Sequence, residues 1–294
     1  MAFDLYQEIT NRIIAEMEKG SIPWNKPWLS VGGCVSHVTG KPYSLLNQLM
    51  LEKPGEYITF KQALEEGGHV KKGEKSKPVV FWKILDKKDE SGNVVIDPDT
   101  GEVEKVYFLR YYSVFHIDQC EGITPRWNKP LPQTTLQPDQ QAEQIIADYV
   151  QRSGVRFKPQ LSNQAYYAPA LDLVVVPELK QYKYPSEYYS TAFHELTHST
   201  GHHSRLNRIN DIAAFGTETY SKEELVAELG SVFLCHSCGL ESTGTFRNST
   251  AYLQGWLHHL RDDKKLIVSA ATKAEKAVKL ILGPNAVTAE EESV

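Results

Sequence analysis

Apolar residues recur every three or four positions at Phe3, Tyr6, Ile9, Ile13 and Met17. That spacing puts them on one face of a helix, predicted over about residues 4–18 and ended by Gly20. The next stretch, Ile22-Pro23-Trp24-Asn25-Lys26-Pro27-Trp28, cannot continue it. Its prolines lack a backbone donor and fix φ, so it reads as an extended loop carrying two indoles. His37 to Tyr43 reads as a turn between strand-like pieces, Leu45 to Leu51 as a short apolar helix, and Tyr57 to Phe60 as a strand. A short helix over Lys61 to Glu66 stops at Gly67-Gly68. After a lysine-rich loop from Val70 to Pro78, Val79 to Leu85 forms a strand. Asp86 to Glu104 is polar and rich in turn residues, as expected of an exposed hairpin excursion. The chain returns at Tyr107 to Ile117 as a strand, with Tyr107, Tyr111 and Phe115 on one face.

Asn128 to Pro138 is a Pro/Gln/Thr stretch and reads as a linker. A helix follows over about Asp139 to Ser153, with Ala142, Ile145, Ile146, Tyr149 and Val150 as its apolar set. Ala165 to Pro169 and Leu171 to Pro177 read as a hairpin. Pro185-Ser186 supplies a stop and an N-cap for a helix that runs to Gly201, and Ser221 opens another helix through Gly230. Apolar stripes predict two more, over Ala251 to Asp262 and Lys273 to Leu282, and the Ala289 to Glu292 tail is expected to fray. The pattern is α+β. Residues 1–128 form one domain with an antiparallel sheet and short helices, 129–138 the linker, and 139–294 a second domain.

Composition narrows the class. The chain has 294 residues, 41% hydrophobic and 23% charged, enough to bury a core over one large or two medium domains. A net charge of -5 argues against a surface coated in positive charge, but leaves room for a local basic groove. No apolar run is long enough to span a membrane, and no secretory leader is evident. Four cysteines, Cys34, Cys120, Cys235 and Cys238, are sparse for a disulfide framework, so a reducing, cytoplasmic location is expected. Cys235-x-x-Cys238 has metal-ligand spacing but no second pair nearby, and reads as two small buried residues at a helix end.

The chemistry concentrates at His194-Glu195-x-x-His198. On a helix, positions i and i+4 stack on one face, so two imidazoles can bind one metal ion and the Glu between them can reach a water on it. A catalytic site needs a third protein ligand and one open position. A third His three residues after Gly201 would be one solution, but that position is Ser204, with His202 and His203 out of register. The other solution is a Glu from a second helix. Glu224 and Glu228 lie one turn apart on one face, as a ligand and as a group that orients a ligand. Two alternatives stay open. Ser221-x-x-Glu224 is also a capping box, and Glu223 could be the ligand instead. A divalent ion there, zinc or else manganese or another transition metal, would lower the pKa of water toward about 7, with Glu195 as general base. His202, His203 and Tyr220 are candidate oxyanion donors.

A second constellation lies in the first half. From Lys61 to Lys88 there are eight lysines against four acids, the most basic window of the chain. Charge beside aromatic strands is what a sequence-tolerant single-strand groove requires, phosphates taking the cations and bases the rings. Solvated lysines on a surface hairpin, and indoles capping a small core, would look the same.

Several segments recur together. They are Pro23-Trp24-x-x-Pro27-Trp28, Thr39-Gly40-Lys41-Pro42-Tyr43-x-x-x-Asn47, Thr59-Phe60-Lys61-Gln62-Ala63, and Gly67-Gly68-x-Val70-x-Lys72-Gly73-Glu74-Lys75. Pro78 to Lys83, Tyr111-Tyr112-x-Val114-Phe115-x-x-Asp118-Gln119, His194 to His202 and Glu223 to Glu228 complete the set. Across nearly the whole chain they resemble the ArdC-type antirestriction proteins of conjugative plasmids, which are related to the N-terminal regions of plasmid primases. The resemblance implies a single-stranded-DNA-binding N-terminal domain and a zincin-like, gluzincin-type metallopeptidase domain. It also implies protection of incoming plasmid DNA from host restriction enzymes. In a zincin, a strand shortly before the metal-binding helix is the edge along which substrates lie, and the 165–177 hairpin is expected to supply it. The implied nucleic-acid residues are Trp24, Trp28, Tyr43, Lys71, Lys72, Lys75 and Trp82. Two accounts follow: a DNA-shielding protein whose metal site is structural or a minor activity, or a true protease that cuts a host protein.

Overall fold

The computed structural model describes residues 4–18, 33–51, 53–89, 91–96, 103–127, 138–182, 184–209, 218–240 and 257–284. The predicted first helix is α1, Leu5–Glu18, and its apolar face buries Ile9, Ile13 and Met17. β1 (Cys34–Ser36), α2 (Leu45–Met50), β2 (Gly55–Ile58), α3 (Phe60–Glu65) and β3 (His69–Val70) follow. The two long strands are β4 (Lys77–Asp86) and β5 (Lys105–His116), and β6 (Cys120–Glu121) closes the N-terminal set.

The main sheet has the order β1-β2-β5-β4. β2, β5 and β4 are antiparallel as expected, but β1 joins β2 in parallel, so the sheet is mixed. β4 and β5 pair from Lys77↔Val114 to Asp86↔Lys105, a ribbon of ten residues. Asn47 docks α2 on that ribbon, donating from its amide to the Val80 carbonyl and accepting from the Val80 N–H, both at 2.7 Å. Gly40 adopts a left-handed φ of 69°, and a Cβ there would sit 2.7 Å from the Trp127 ring. That close approach lets the Trp127 indole donate to the His37 carbonyl at 2.7 Å.

In the second half, α4 (Pro138–Ser153) leads into a three-stranded sheet of β7 (Arg156–Gln160), β8 (Tyr166–Ala168) and β9 (Leu173–Pro177). The order is β7-β9-β8, with β9 parallel to β7 and antiparallel to β8. The hairpin expectation holds for β8 and β9. The short β8 is one edge and β7 the other, whereas the apolar Leu173–Pro177 strand lies in the middle, which is why Val174, Val175 and Val176 are buried. Its partner β7, Arg-Phe-Lys-Pro-Gln, carries no apolar alternation and was not anticipated.

Among the described residues that follow, α5 (Pro185–Ser199), α6 (Glu218–Ser237) and α7 (Leu266–Leu282) are helices, and residues 257–262 are also helical. α7 starts seven residues before its expected start at Lys273, because Leu266, Ile267 and Val268 are all buried and extend the apolar face. One cluster of buried side chains contains Ile9 and Ile13 of α1, Leu46 and Leu49 of α2, Phe193 and Leu196 of α5, Leu225 and Leu229 of α6, and Ile267 and Ala274 of α7. The Thr10 hydroxyl donates to the Lys264 carbonyl at 2.7 Å, and Lys264 pairs with Asp4. No helix among the described residues is long and apolar enough to cross a membrane.

Candidate metal centre and nucleic-acid residues

α5 begins at Pro185, whose missing N–H is harmless at the first helical position. Tyr184 is its N-cap, so Ser186 lies inside the first turn rather than capping it. Gly201 follows the helix as expected, but for a steric reason: a Cβ there would meet Ile209 at 2.8 Å. One turn apart on α5, the buried His194 and the largely buried His198 face each other with ring centroids 4.8 Å apart. α6 crosses α5 where Gly230 leaves room for Thr197; a Cβ at Gly230 would lie 2.6 Å from the Thr197 methyl.

That crossing brings Glu224 to both imidazoles. Its carboxylate lies 3.6 Å from Nε2 of His194 and 3.2 Å from Nε2 of His198. One donor atom from each of His194, His198 and Glu224 lies within 4.8 Å of the others, and all three residues are buried. The two Nε2 atoms are 3.2 Å apart. At that distance one ring can donate its N–H to the other, or both can turn their lone pairs to one ion. The donor set fits a divalent ion.

The surrounding groups hold these three side chains in place. Glu228 faces Nδ1 of His194 at 3.8 Å. Glu223 faces Nδ1 of His198 at 3.5 Å, and Arg208 grips Glu223 through two nitrogens at 2.7 and 3.1 Å. Arg208 also donates to the Thr200 hydroxyl and the Thr197 carbonyl, so it ties the end of α5 to α6. Burial works to lower the His198 pKa, but Glu223, Glu224 and the charge of Glu195 outweigh it and hold it up to about 10. Burial works to raise Glu224, and the two imidazoles outweigh it, so its carboxyl is held well below the usual range. Glu223 is also lowered against burial, by His198 and Arg208.

Glu195, next to His194 on α5, is buried as well. Its charge acts on His198 and on Tyr182, a half-buried tyrosine just before α5. Neither Tyr182 nor Arg208 was singled out by sequence reasoning. Tyr182 precedes α5 by three residues and Arg208 lies between α5 and α6, but nothing in their local pattern marks either, and only the packing joins them to the site. Of the oxyanion candidates, His203 is exposed, His202 engages Ser204 at 2.8 Å, and the Tyr220 side chain lies outside the described residues. Cys235 and Cys238 are buried, and burial pushes the Cys238 thiol up to about 12. Among the described residues the one three-residue group able to hold a metal is His194, His198 and Glu224.

Residues 140–273 match the zincin-like metallopeptidase family, and residues 3–115 match the N-terminal domain of anti-restriction factor ArdC. The fold is similar to the crystal structure of the antirestriction ArdC protein from plasmid R388 in its metal-free form. The TM-score is 0.73 at 36% identity, covering 95% of this chain and 97% of that one. The chain belongs to the ArdC antirestriction family. The Mn(II)-bound structure of the same R388 ArdC matches with a TM-score of 0.71 at 34% identity, so a divalent ion has been seen in a member of the family. An uncharacterized protein, y4eC, from Sinorhizobium fredii is 30% identical over 93% of this chain and 90% of its own length. Two DNA primases named TraC from Escherichia coli are 33% and 32% identical, and the chain spans only 19% and 27% of their lengths.

On this ArdC frame the nucleic-acid candidates scatter. Trp24 and Trp28 lie outside the described residues. Tyr43 is buried in a small core with Tyr57, its ring edge-on at 6.3 Å. Lys71 donates to the Asp118 carbonyl at 2.9 Å, while Lys72 and Lys75 are exposed on the same loop. Trp82 is half-buried on the face of β4 that packs against the main core. Tyr43 and Trp82 do meet in one cleft of about 140 Å³, which Thr272 and Lys276 of α7 close from the other side.

Proposed function

We propose that this ArdC-family chain binds single-stranded DNA through residues 1–128 and protects incoming conjugative plasmid DNA from host restriction endonucleases. The proposed second domain, 139–294, holds one divalent ion, zinc in the first instance, on His194, His198 and Glu224, in the cytoplasm. The observation that carries the reading is a likeness to a solved antirestriction ArdC that runs through both halves at once. The basic window from Lys61 to Lys88 supports the DNA contact, since each phosphate neutralised releases counterions.

A bound ion would supply Lewis acidity toward a carbonyl and acidify water. The chain's own residues supply the rest. Glu228 and Glu223 orient the two imidazoles, and Arg208 keeps Glu223 ionised and in place. Glu195 is positioned to hold a proton and hand it on.

A second reading, a metallopeptidase acting on a host protein, is favoured by Glu195 itself, because a purely structural site needs no base. Changing Glu195 to Ala separates the two. The shielding account expects the variant to retain metal, single-strand binding and protection from restriction. If protection is lost while DNA binding stays intact, the peptidase account takes its place.

A further inference from the structure

Residues opposed across an antiparallel pair share a face. On the β4–β5 ribbon, one face carries Val80, Trp82 and Leu109 into the main core. At its base the other face closes a second small core with Val79, Val114 and Tyr112. Toward the tip that second face turns to solvent, and its composition changes. Phe81 lies opposite Arg110, and Lys83 opposite Phe108. Phe108 is 42% exposed, Lys83 and Arg110 are exposed, and Phe81 is half-buried with its ring 5.8 Å from that of Tyr112. The Arg110 guanidinium lies 5.9 Å from the Phe108 ring centre.

Rings and cations thus alternate on a checkerboard. The two phenylalanines sit on one diagonal, about 7–8 Å apart by strand geometry. Within β4 and β5 no acid shares the face: its other positions near the tip are Leu85 and Val106, and the Asp86–Lys105 pair belongs to the opposite face. One step beyond the strands, Glu104 is taken up by its own ion pair with Lys87. An exposed aromatic ribbon is an aggregation hazard unless something covers it. A second copy seated symmetrically would press Lys83 and Arg110 against their own counterparts. A polyanion with flat faces fits both features.

We propose that this face of the β4–β5 ribbon is a stacking platform for single-stranded DNA, with bases on Phe81 and Phe108 and phosphates on Lys83 and Arg110. The proposal rests on the single-strand-binding reading above and gives it a place, on the face opposite the one that holds Trp82.

The test uses the full chain and a fluorescein-labelled oligothymidylate, with anisotropy followed across a salt series. Replacing Phe108 with Ala should weaken binding roughly tenfold, and Phe108→Trp should keep it, because a ring is what the site needs. Arg110→Ala should also weaken binding and remove roughly 0.7 from the slope of log affinity against log salt. Both positions are at the surface, so the three variants should melt with the parent. If the parent binds the oligonucleotide and Phe108→Ala and Arg110→Ala bind it with unchanged affinity and slope, the platform is wrong and single-strand binding lies elsewhere on the chain. A parent that does not bind at all would overturn the single-strand reading itself. If Phe108→Ala instead dissolves a dimer seen by sedimentation and leaves DNA binding untouched, the face belongs to a second copy.

Discussion

Arg208 and Glu223 form a half-buried two-pronged ion pair, 2.7 and 3.1 Å, and Glu223 in turn faces the outer nitrogen of His198. The pair sits behind the proposed ligands, so its loss should be felt without removing any of them. Arg208→Ala should lower Mn(II) or Zn(II) affinity by about 10–100-fold, the usual effect of losing a group that orients a metal-bound His. Glu224→Ala should abolish binding. Isothermal titration distinguishes the two, and the reverse ranking of Glu223 and Glu224 variants would make Glu223 the ligand.

Gly230 lets α6 lie close against α5, over a Thr197 that is fully buried. Gly230→Ala cannot be absorbed by a flexible side-chain end, because Thr197 is short and its hydroxyl donates to the Phe193 carbonyl at 2.7 Å. A cost of about 1–3 kcal/mol in denaturant unfolding is expected, as for other overpacked core sites. Metal affinity should fall with it, since His194 and His198 ride on one helix and Glu224 on the other. A variant that loses stability but binds metal as the parent does would mean that the helices separate elsewhere.

His236 is buried, and neither ring nitrogen has a hydrogen-bond partner among the described residues. Burial pushes its pKa down, from 6.5 to about 4. The folded state therefore resists a proton that the unfolded chain accepts. This contribution to stability is complete above pH 6.5 and is lost as pH falls toward 4, with no further change below that. At about 1.4 kcal/mol per pH unit, the loss amounts to about 3 kcal/mol. Urea unfolding between pH 7 and pH 4 should show a shallower acid limb for His236→Leu than for the parent. Parallel limbs would sink the idea.

Ile9 of α1 is fully buried in a cluster that also holds Phe193, Leu225 and Ile267. Ile9→Ala should cost about 2–5 kcal/mol. Because the cluster spans residues from both proposed domains, the parent should melt in one calorimetric transition, which Ile9→Ala moves as a whole. Two transitions, with one alone displaced, would show that the halves fold separately.

Local patterns in the sequence carried far. The i, i+4 histidines, the α1 stripe and the β4 and β5 runs are set by near neighbours, so they can be read without the fold. What escaped was non-local. β7 pairs with β9 without an apolar alternation of its own, which concealed both that strand and the interior place of Leu173–Pro177. The grip of Arg208 on Glu223 needs the α5–α6 crossing, and nothing near Arg208 announces it. The aromatic residues near the tip divide by strand parity. Trp82, chosen for its large ring, turns to the core side, while Phe81 beside it turns the other way.

The first of the described helices shares its cover with the last of them. Ile13 of α1 shares its core with Ile267 of α7, some 250 residues later. A ribosome adding about 5–20 residues per second needs roughly 10–50 s to bridge that gap. For that time the stripe of Ile9, Ile13 and Met17 has only part of its native cover. Production in the cell should therefore be sensitive to translation speed and to chaperones that shield exposed apolar helices, even where the finished protein is stable.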